Sequence, residues 1–529
     1  MTMKTQKQSF LAVSFLILFI FSCAKDKIIE RPNIILIMAD DMGYSDLGFF
    51  GSEIQTPNLD RLAENGLVMT QFYNTGRCTP TRAALLTGLY PHQVGTGHLT
   101  VDFGHPSYQG YINKDGITIA EALKREGYTT MMTGKWHLGD PEKSWPQNRG
   151  FEHFYGVPRG GGIYFYPFLI DREVMLNNEV VQVDSSFYST DAFNDYSVQF
   201  IEEHHRKEEN KPFFLYVAHI APHFPLQAPE DDIAKYRGKF KEGFETYRQR
   251  RFELMLKQGI LPENTQLSPS DERVKHWDNL SEAEQDTMDK KMAVYAAQMD
   301  VMDQGIGRII DKLKDIGEYE NTVIMYLSDN GAISTDLAGD AERRGIEGAD
   351  GPIGSRYSWD AYEASWGNVS NTPFRLYKAW VHEGGIKTPL IIHWPRMIKN
   401  HRIDHQVGHV IDIMPTVLDA AGVDYPASYN DQEILPMEGE SLIPVIKGRE
   451  LNRENPLFWE HQGNRAIRKN EWKLVSEYPE NKWHLYNLDE DLTEMNDLSN
   501  EYTNLVRELE SEYQKWADRI GVIPWGEFD

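Results

Sequence analysis

Apolar runs and helix-spaced apolar stripes alternate through most of this sequence. Asn33 to Met38 (NIILIM), Val323 to Leu327 (VIMYL) and Pro389 to His393 (PLIIH) are near-continuous apolar stretches, which predicts strands covered on both faces. Thr129 to Thr133 predicts a further strand. Helix signals lie between them. Thr56-Pro57-Asn58-Leu59-Asp60 offers an N-cap, a proline at the first helical position and an early acid, and Gly66 supplies the stop. Ser281-Glu282-Ala283-Glu284 is a capping box opening a long helix, with Met292, Tyr295, Ala296, Met299, Ile306, Ile309 and Leu313 close to one face. Strands alternating with helices imply an α/β sandwich around a mostly parallel sheet. Near Arg449 the rhythm changes. Trp472 to Ser476 and Trp483 to Leu488 predict short strands, and Tyr502, Leu505, Val506, Leu509, Tyr513 and Trp516 stripe a last amphipathic helix. The expected organisation is a main domain over 32–450 and a small α+β subdomain over 451–529.

The N-terminus reads as an address. Lys4 and Lys7 precede an apolar run from Phe10 to Phe21, and Ser22-Cys23-Ala24 follows, the layout of a secretory signal over 1–23. A bilayer span needs about 20 apolar residues, so this run does not predict a spanning helix. Ile20-Phe21-Ser22-Cys23 resembles a bacterial lipobox, which makes Cys23 a lipidation site and 24–31 a tether. Plain secretion after Ser22-Cys23-Ala24 is the alternative. Both expectations place the chain in the periplasm or cell envelope, touching a membrane only through an N-terminal lipid.

With 529 residues, 40% hydrophobic, 25% charged and 12% aromatic, the chain has the composition of a folded protein rather than a disordered one. Its 80 acidic and 54 basic residues leave a net charge of −26, which excludes a general nucleic-acid binder. Any anionic ligand must meet a local positive site. Cys23 and Cys78 are the two cysteines, so no internal disulfide framework is expected.

Two of the buried strands run into acids, one into Asp40-Asp41 and the other into Asp329-Asn330. In open α/β sheets ligands bind at the carboxyl ends of strands. If these strands are neighbours, their carboxylates repel unless a cation sits among them, and oxygen-only ligation favours calcium or magnesium over zinc. One acidic pair alone is more often a helix cap or a solvated loop. In Cys78-Thr79-Pro80-Thr81-Arg82, Pro80 suits a first helical turn, which puts Cys78 at a helix N-terminus where free amides favour an anion, with Arg82 projecting toward the same end. A lone cysteine before a helix is more often an inert buried thiol.

Cys78-x-Pro80-x-Arg82, followed by Thr87-Gly88, resembles the signature of the type I sulfatases, whose cysteine is oxidised after translation to formylglycine. The resemblance covers most of the chain and is nearest to the bacterial arylsulfatases. It extends to Asp40-Asp41, Gly134-Lys135-Trp136-His137-Leu138-Gly139, Ala221-Pro222-His223-Phe224-Pro225, Ser328-Asp329-Asn330-Gly331 and Arg375-Leu376-Tyr377-Lys378-Ala379. Thr81 stands where the family commonly has serine. The resemblance implies an alkaline-phosphatase-like sandwich and one calcium ion held by Asp40, Asp41, Asp329, Asn330 and the modified residue 78. It also implies a catalytic set of Cys78, Arg82, Lys135, His137, His223 and Lys378, and a maturation enzyme that forms the aldehyde. In the implied reaction a hydroxyl of the hydrated aldehyde attacks sulfur and His223, aided by Lys378, protonates the leaving alcohol or phenol. His137 then deprotonates the second hydroxyl to expel sulfate. Aryl, carbohydrate or steroid sulfates are the implied substrates.

The residues keep part of this in view without the resemblance. Lys135 and His137 are two apart after a predicted strand, so in extended chain both point one way, although a surface lysine beside a core histidine gives the same spacing. His223 between two prolines also suits a rigid turn, and Lys378 alone suits a solubilising helix position. Two rival functions follow. A phosphatase or phosphonate monoester hydrolase needs further ligands, for which His409 and Asp412 are candidates, against a capping role for Asp412 before the helix begun by Pro415 and ended by Gly422. A non-catalytic glycan-binding lipoprotein would use Tyr164, Phe165 and Tyr166 as stacking rings, although core or lid packing explains them equally.

Overall fold

The computed structural model describes residues 31–208 and 211–528, so the expected signal, Cys23 and residues 24–30 of the tether lie outside the described residues. The strands in chain order are β1 (Asn33–Ala39), β2 (Leu67–Tyr73), β3 (Thr129–Lys135), β4 (His153–Val157), β5 (Met175–Leu176), β6 (Glu179–Val180), β7 (Phe213–Ala218), β8 (Thr322–Ser328), β9 (Lys387–His393) and β10 (Arg402–His409), then β11 (Ser428–Tyr429), β12 (Gln432–Glu433), β13 (Leu457–His461), β14 (Asn464–Lys469), β15 (Trp472–Ser476) and β16 (Trp483–Asn487). The first ten make one sheet in the order β10-β2-β9-β8-β1-β7-β3-β4-β5-β6. β1 lies at its centre with every residue buried, parallel to β8 on one side and β7 on the other. A strand with partners on both edges and helices over both faces leaves no wet position, which is why its apolar run is unbroken. β9 runs antiparallel to both β8 and β2, so the sheet is mixed.

Helices flank the sheet in two groups. Ser189–Glu208, Glu230–Tyr236, Pro57–Glu64 and the long Glu282–Asp315 helix pack together, while Cys78–Thr87, Ile119–Arg125 and Ile413–Ala421 form the other set. The capping box of the long helix is made as expected. Ser281 Oγ accepts from the Glu284 amide at 3.4 Å, and Glu284 Oε2 accepts from the Ser281 amide at 2.8 Å. The Pro57–Glu64 helix departs from expectation at its start. Thr56 Oγ1 donates to Asp60 instead of capping, and Asp303 on the long helix accepts from the Asn58 and Leu59 amides at 3.1 and 2.8 Å.

Past residue 450 the sequence signals caught two of four strands. β13 to β16 form an antiparallel sheet against which the Thr503–Ile520 helix packs. This sheet is joined to the main one by buried charge. Glu383, in the turn before β9, accepts from Tyr73 Oη at 2.8 Å and from Lys473 Nζ of β15 at 2.7 Å, and it pairs with Lys387 Nζ at 2.8 Å. Lys473 also pairs with Glu494 at 2.8 Å, and Glu494 accepts from the Glu383 amide. All four charged side chains are fully buried, and residues 31–529 form one compact unit. Among the described residues no helix is long and apolar enough to cross a membrane.

Candidate active site

The site grows from the centre of the sheet. β1 and β8 run parallel in register with Ala39 opposite Ser328, so Asp40-Asp41 and Asp329-Asn330 leave the same edge side by side. Asp41 sits in the left-handed backbone region at φ 68°, which turns its carboxylate back across the strand ends. Asn330 Nδ2 donates to Asp41 Oδ1 at 2.7 Å, and Asp329 Oδ1 accepts from the Asp41 amide at 3.3 Å. Three buried carboxylates therefore share one corner. Burial and the neighbouring Asp40 push Asp329 well above the usual carboxylate range, against the pull of Arg82. Burial acts on Asp40 too, but Lys135, His223 and Arg82 outweigh it and hold Asp40 below that range.

The cations converge from three elements. Cys78 opens the helix Cys78–Thr87, and Arg82 one turn later is fully buried. Its Nε and Nη2 donate to Asp329 Oδ2 at 3.1 and 2.8 Å, while Nη1 donates to the Lys135 carbonyl at 2.9 Å. Lys135 ends β3 and donates to Asp40 Oδ2 at 2.6 Å. Lys378 donates to Asp41 Oδ1. It lies not in a helix but in an irregular turn between Leu376 and Ala379, both at positive φ, and its ammonium is buried rather than solvating the surface. Burial raises the Cys78 thiol, yet Lys135 and Lys378 outweigh it and hold the group below its ordinary value.

The histidines arrive differently from the sequence expectation. β3 stops at Lys135, and His137 has φ 58°, so the two side chains do not share a face of one extended strand. Thr79 Oγ1 donates to the His137 carbonyl at 3.0 Å, tying this turn to the helix of Cys78. Burial, then Lys135 and Arg82, push His137 well below the ordinary histidine range. His223 Nε2 stands 3.4 Å from Asp41 Oδ2. Burial lowers His223 as well, outweighing the opposing Asp41 and Asp40.

Oxygen donors remain free in this corner. Asp40 Oδ1, Asp41 Oδ2 and Asn330 Oδ1 are buried without a hydrogen-bond partner among the described residues. Ligand atoms of Asp40, Asp41 and His223 all lie within 4.8 Å of one another. Acidic, oxygen-rich and enclosed, this donor set fits a hard divalent cation. His409 and Asp412 do not join it. They stand at the end of β10, with β2, β9 and β8 between them and β1. Asp412 accepts from the His409 amide at 2.7 Å and the Glu440 amide at 2.9 Å and pairs with Arg453, so it closes the turn before the helix Ile413–Ala421.

The sequence model described as Sulfatase matches residues 32–423. The chain belongs to the sulfatase family. A second model, described as N-sulphoglucosamine sulphohydrolase, C-terminal, matches residues 374–519. An uncharacterized sulfatase of Schizosaccharomyces pombe is 34% identical, covering 93% of this chain and 95% of that protein. An arylsulfatase of Klebsiella aerogenes is also 34% identical, covering 81% of this chain and 95% of its own. The solved structure of Ps i-CgsB, known also in complex with k-i-k-neocarrahexaose, superposes with a TM-score of 0.69 at 27% identity, covering 92% of this chain and 93% of that one.

Three supports of this sulfatase site went unread in the sequence. Asn371 donates at 2.9 Å to both the Leu376 and Gly384 carbonyls and accepts from the Ala332 amide at 3.0 Å, so it fastens the turn of Lys378 to the loop after β8. Tyr164 is buried, and its hydroxyl donates to the His223 carbonyl at 2.7 Å. It is thus a strut of the site and not a stacking ring, whereas Tyr166 is exposed. Gly161 packs against the site: a Cβ there would crowd Ile220 Cγ2 at 3.2 Å and touch Asp40 Oδ2 and Lys135 Cδ at an ordinary 3.5 Å. Replacing Asn371 with alanine strands two buried carbonyls and is expected to cost about 2–4 kcal/mol in urea denaturation. Turnover should fall roughly 10- to 100-fold as Lys378 loses its placement.

Proposed function

We propose that this sulfatase hydrolyses sulfate monoesters with a calcium ion and a formylglycine formed from Cys78. The observation that carries the proposal is the set of orphan oxygens of Asp40, Asp41 and Asn330 beside a thiol at the head of a cationic helix turn. Calcium would be held by these three residues with Asp329, and it supplies fixed positive charge for sulfate oxygens. The oxidised residue, when formed, supplies an oxygen nucleophile that a thiol lacks. The rest falls to side chains in place. Arg82, bound to Asp329 and to the Lys135 carbonyl, cannot swing away and presents a fixed cation. Lys135 and Lys378 donate to Asp40 and Asp41 and bring two more cations to the same corner. His137, favoured as the neutral ring by its surroundings, is suited to accept a proton from residue 78. His223, with Nε2 beside Asp41, is placed to pass one to the leaving oxygen.

The kinship with Klebsiella arylsulfatase supports activity on aryl sulfates, and the Ps i-CgsB complex supports carbohydrate sulfates as natural substrates. A maturation enzyme acting on Cys78, export to the cell envelope, and a lipid on Cys23 complete the proposal. The rival phosphatase or phosphonate monoester hydrolase loses its candidate ligand with Asp412 engaged by Arg453.

Cys78→Ala should abolish release of 4-nitrophenol from 4-nitrophenyl sulfate while leaving the thermal midpoint within a few degrees of the parent. The peptide of the active protein that contains residue 78 should show by mass spectrometry the exchange of sulfur for oxygen with loss of two hydrogens. An unaltered thiol in fully active protein overturns the assignment. Calcium added to chelator-treated protein should raise stability by about 2.7 kcal/mol at a hundredfold excess over Kd, and Asp41→Ala should erase that rise. Growth with labelled fatty acid should mark the native protein but not Cys23→Ala; no label on either form refutes the anchor.

A further inference from the structure

Arg172 is a half-buried cation close to His137 whose role the catalytic set leaves open. A point one bond from the Gly160 Cα lies 3.2 Å from Arg172 Nη2 and 3.4 Å from His137 Nε2, so the guanidinium edge and the imidazole face each other across a bare backbone. The neighbouring Gly161 lies against Asp40 and Lys135. One residue, about 3.8 Å of chain, therefore separates the wall of the ion pocket from the wall made by Arg172.

Among the described residues no carboxylate pairs with this guanidinium. Nη1 donates to the Asp171 carbonyl at 2.8 Å, and Nε is buried without a hydrogen-bond partner among them. Its charged surroundings are mixed, two acids set against two arginines. Burial lowers Arg172, Arg159 and Arg344 lower it further, and Asp140 and Asp171 oppose them. Arg159 is exposed at the start of the glycine tract, while Arg344 leans on the Trp359 ring at 5.6 Å and on Asp340 at 3.6 Å. In a chain of net charge −26, a half-buried guanidinium that pairs with no carboxylate among the described residues keeps donors available for an anion.

We propose that Arg172 binds a second anionic group on the leaving portion of the substrate, so that this sulfatase prefers carbohydrate sulfates bearing a further sulfate or carboxylate over monoanionic esters. This rests on the sulfatase reading above. The planar guanidinium suits either oxyanion through paired N–H donors, and the ester sulfate stays with Arg82, Lys135 and Lys378 one residue deeper.

Calorimetric titration of the full-length Cys78→Ala protein in calcium, with D-galactose 6-sulfate, D-galactose 2,6-disulfate, D-galactose 4,6-disulfate and glucuronic acid 3-sulfate, tests the preference without turnover. At least one dianion should bind roughly 10-fold or more tighter than the monosulfate, the size of a charge-assisted contact. Adding Arg172→Ala should shrink that ratio to about threefold or less, with Arg172→Lys intermediate. The dianion that shows the effect tells sulfate from carboxylate. Absence of any preference in the parent overturns the proposal, as does a ratio unmoved in both variants. Equal weakening of mono- and dianions also overturns it, because Arg172 would then hold the reacting sulfate. The sulfatase reading is judged separately by release of inorganic sulfate from 4-nitrophenyl sulfate and from the same sugar sulfates in protein that retains Cys78. Failure there with the dianion preference intact would sink that reading and leave Arg172 as an anion-binding residue.

Discussion

Like charge gathered at the ends of two neighbouring strands is the constraint around which this molecule is arranged. Parallel pairing of β1 and β8 in register forces Asp40, Asp41 and Asp329 into one buried corner. Carboxylates so placed cannot all stay ionised without compensation. The chain supplies it from three directions: a helix turn through Arg82, a strand end through Lys135 and an irregular turn through Lys378. Each of those elements must arrive at a set depth, which explains supports such as Asn371 and Tyr164 that touch no substrate. The same balance lets a strongly acidic chain receive an anion, since charges elsewhere on the surface are largely screened beyond roughly 8–10 Å.

Much of this was legible before any coordinates. The unbroken apolar runs gave β1 and β8 because central strands have no wet face, and the acids that follow them marked the ligand edge. The capping box at Ser281 located the start of the long helix to the residue. The residues of the sulfatase signature around Cys78 lie near Asp40, Asp329, Lys135, His137, His223 and Lys378, which the same resemblance named.

What stayed hidden has a common physical cause: it depends on backbone turns and distant partners rather than on local rhythm. The antiparallel sense of β9 is fixed by its connections, not its composition. His137 and Asp41 adopt positive φ that no side-chain pattern announces. Lys378 is indistinguishable in sequence from a solvated lysine, and only tertiary packing buries it. β13 and β14 mix apolar and charged residues because Glu460, Arg465 and Arg468 are satisfied inside the protein, which breaks the alternation that would have revealed them.

The charge lattice between Glu383, Lys387, Lys473 and Glu494 gives the C-terminal segment an unusual standing. A domain that merely leans on its neighbour through greasy contacts can be trimmed away, leaving a surface that water tolerates poorly but survivably. Here severance would expose the buried Glu383–Lys387 pair and strip Glu383 of its Lys473 partner, immediately beneath the turn that precedes β9. The last stretch of polypeptide is therefore a cover over buried charge, not an appendage.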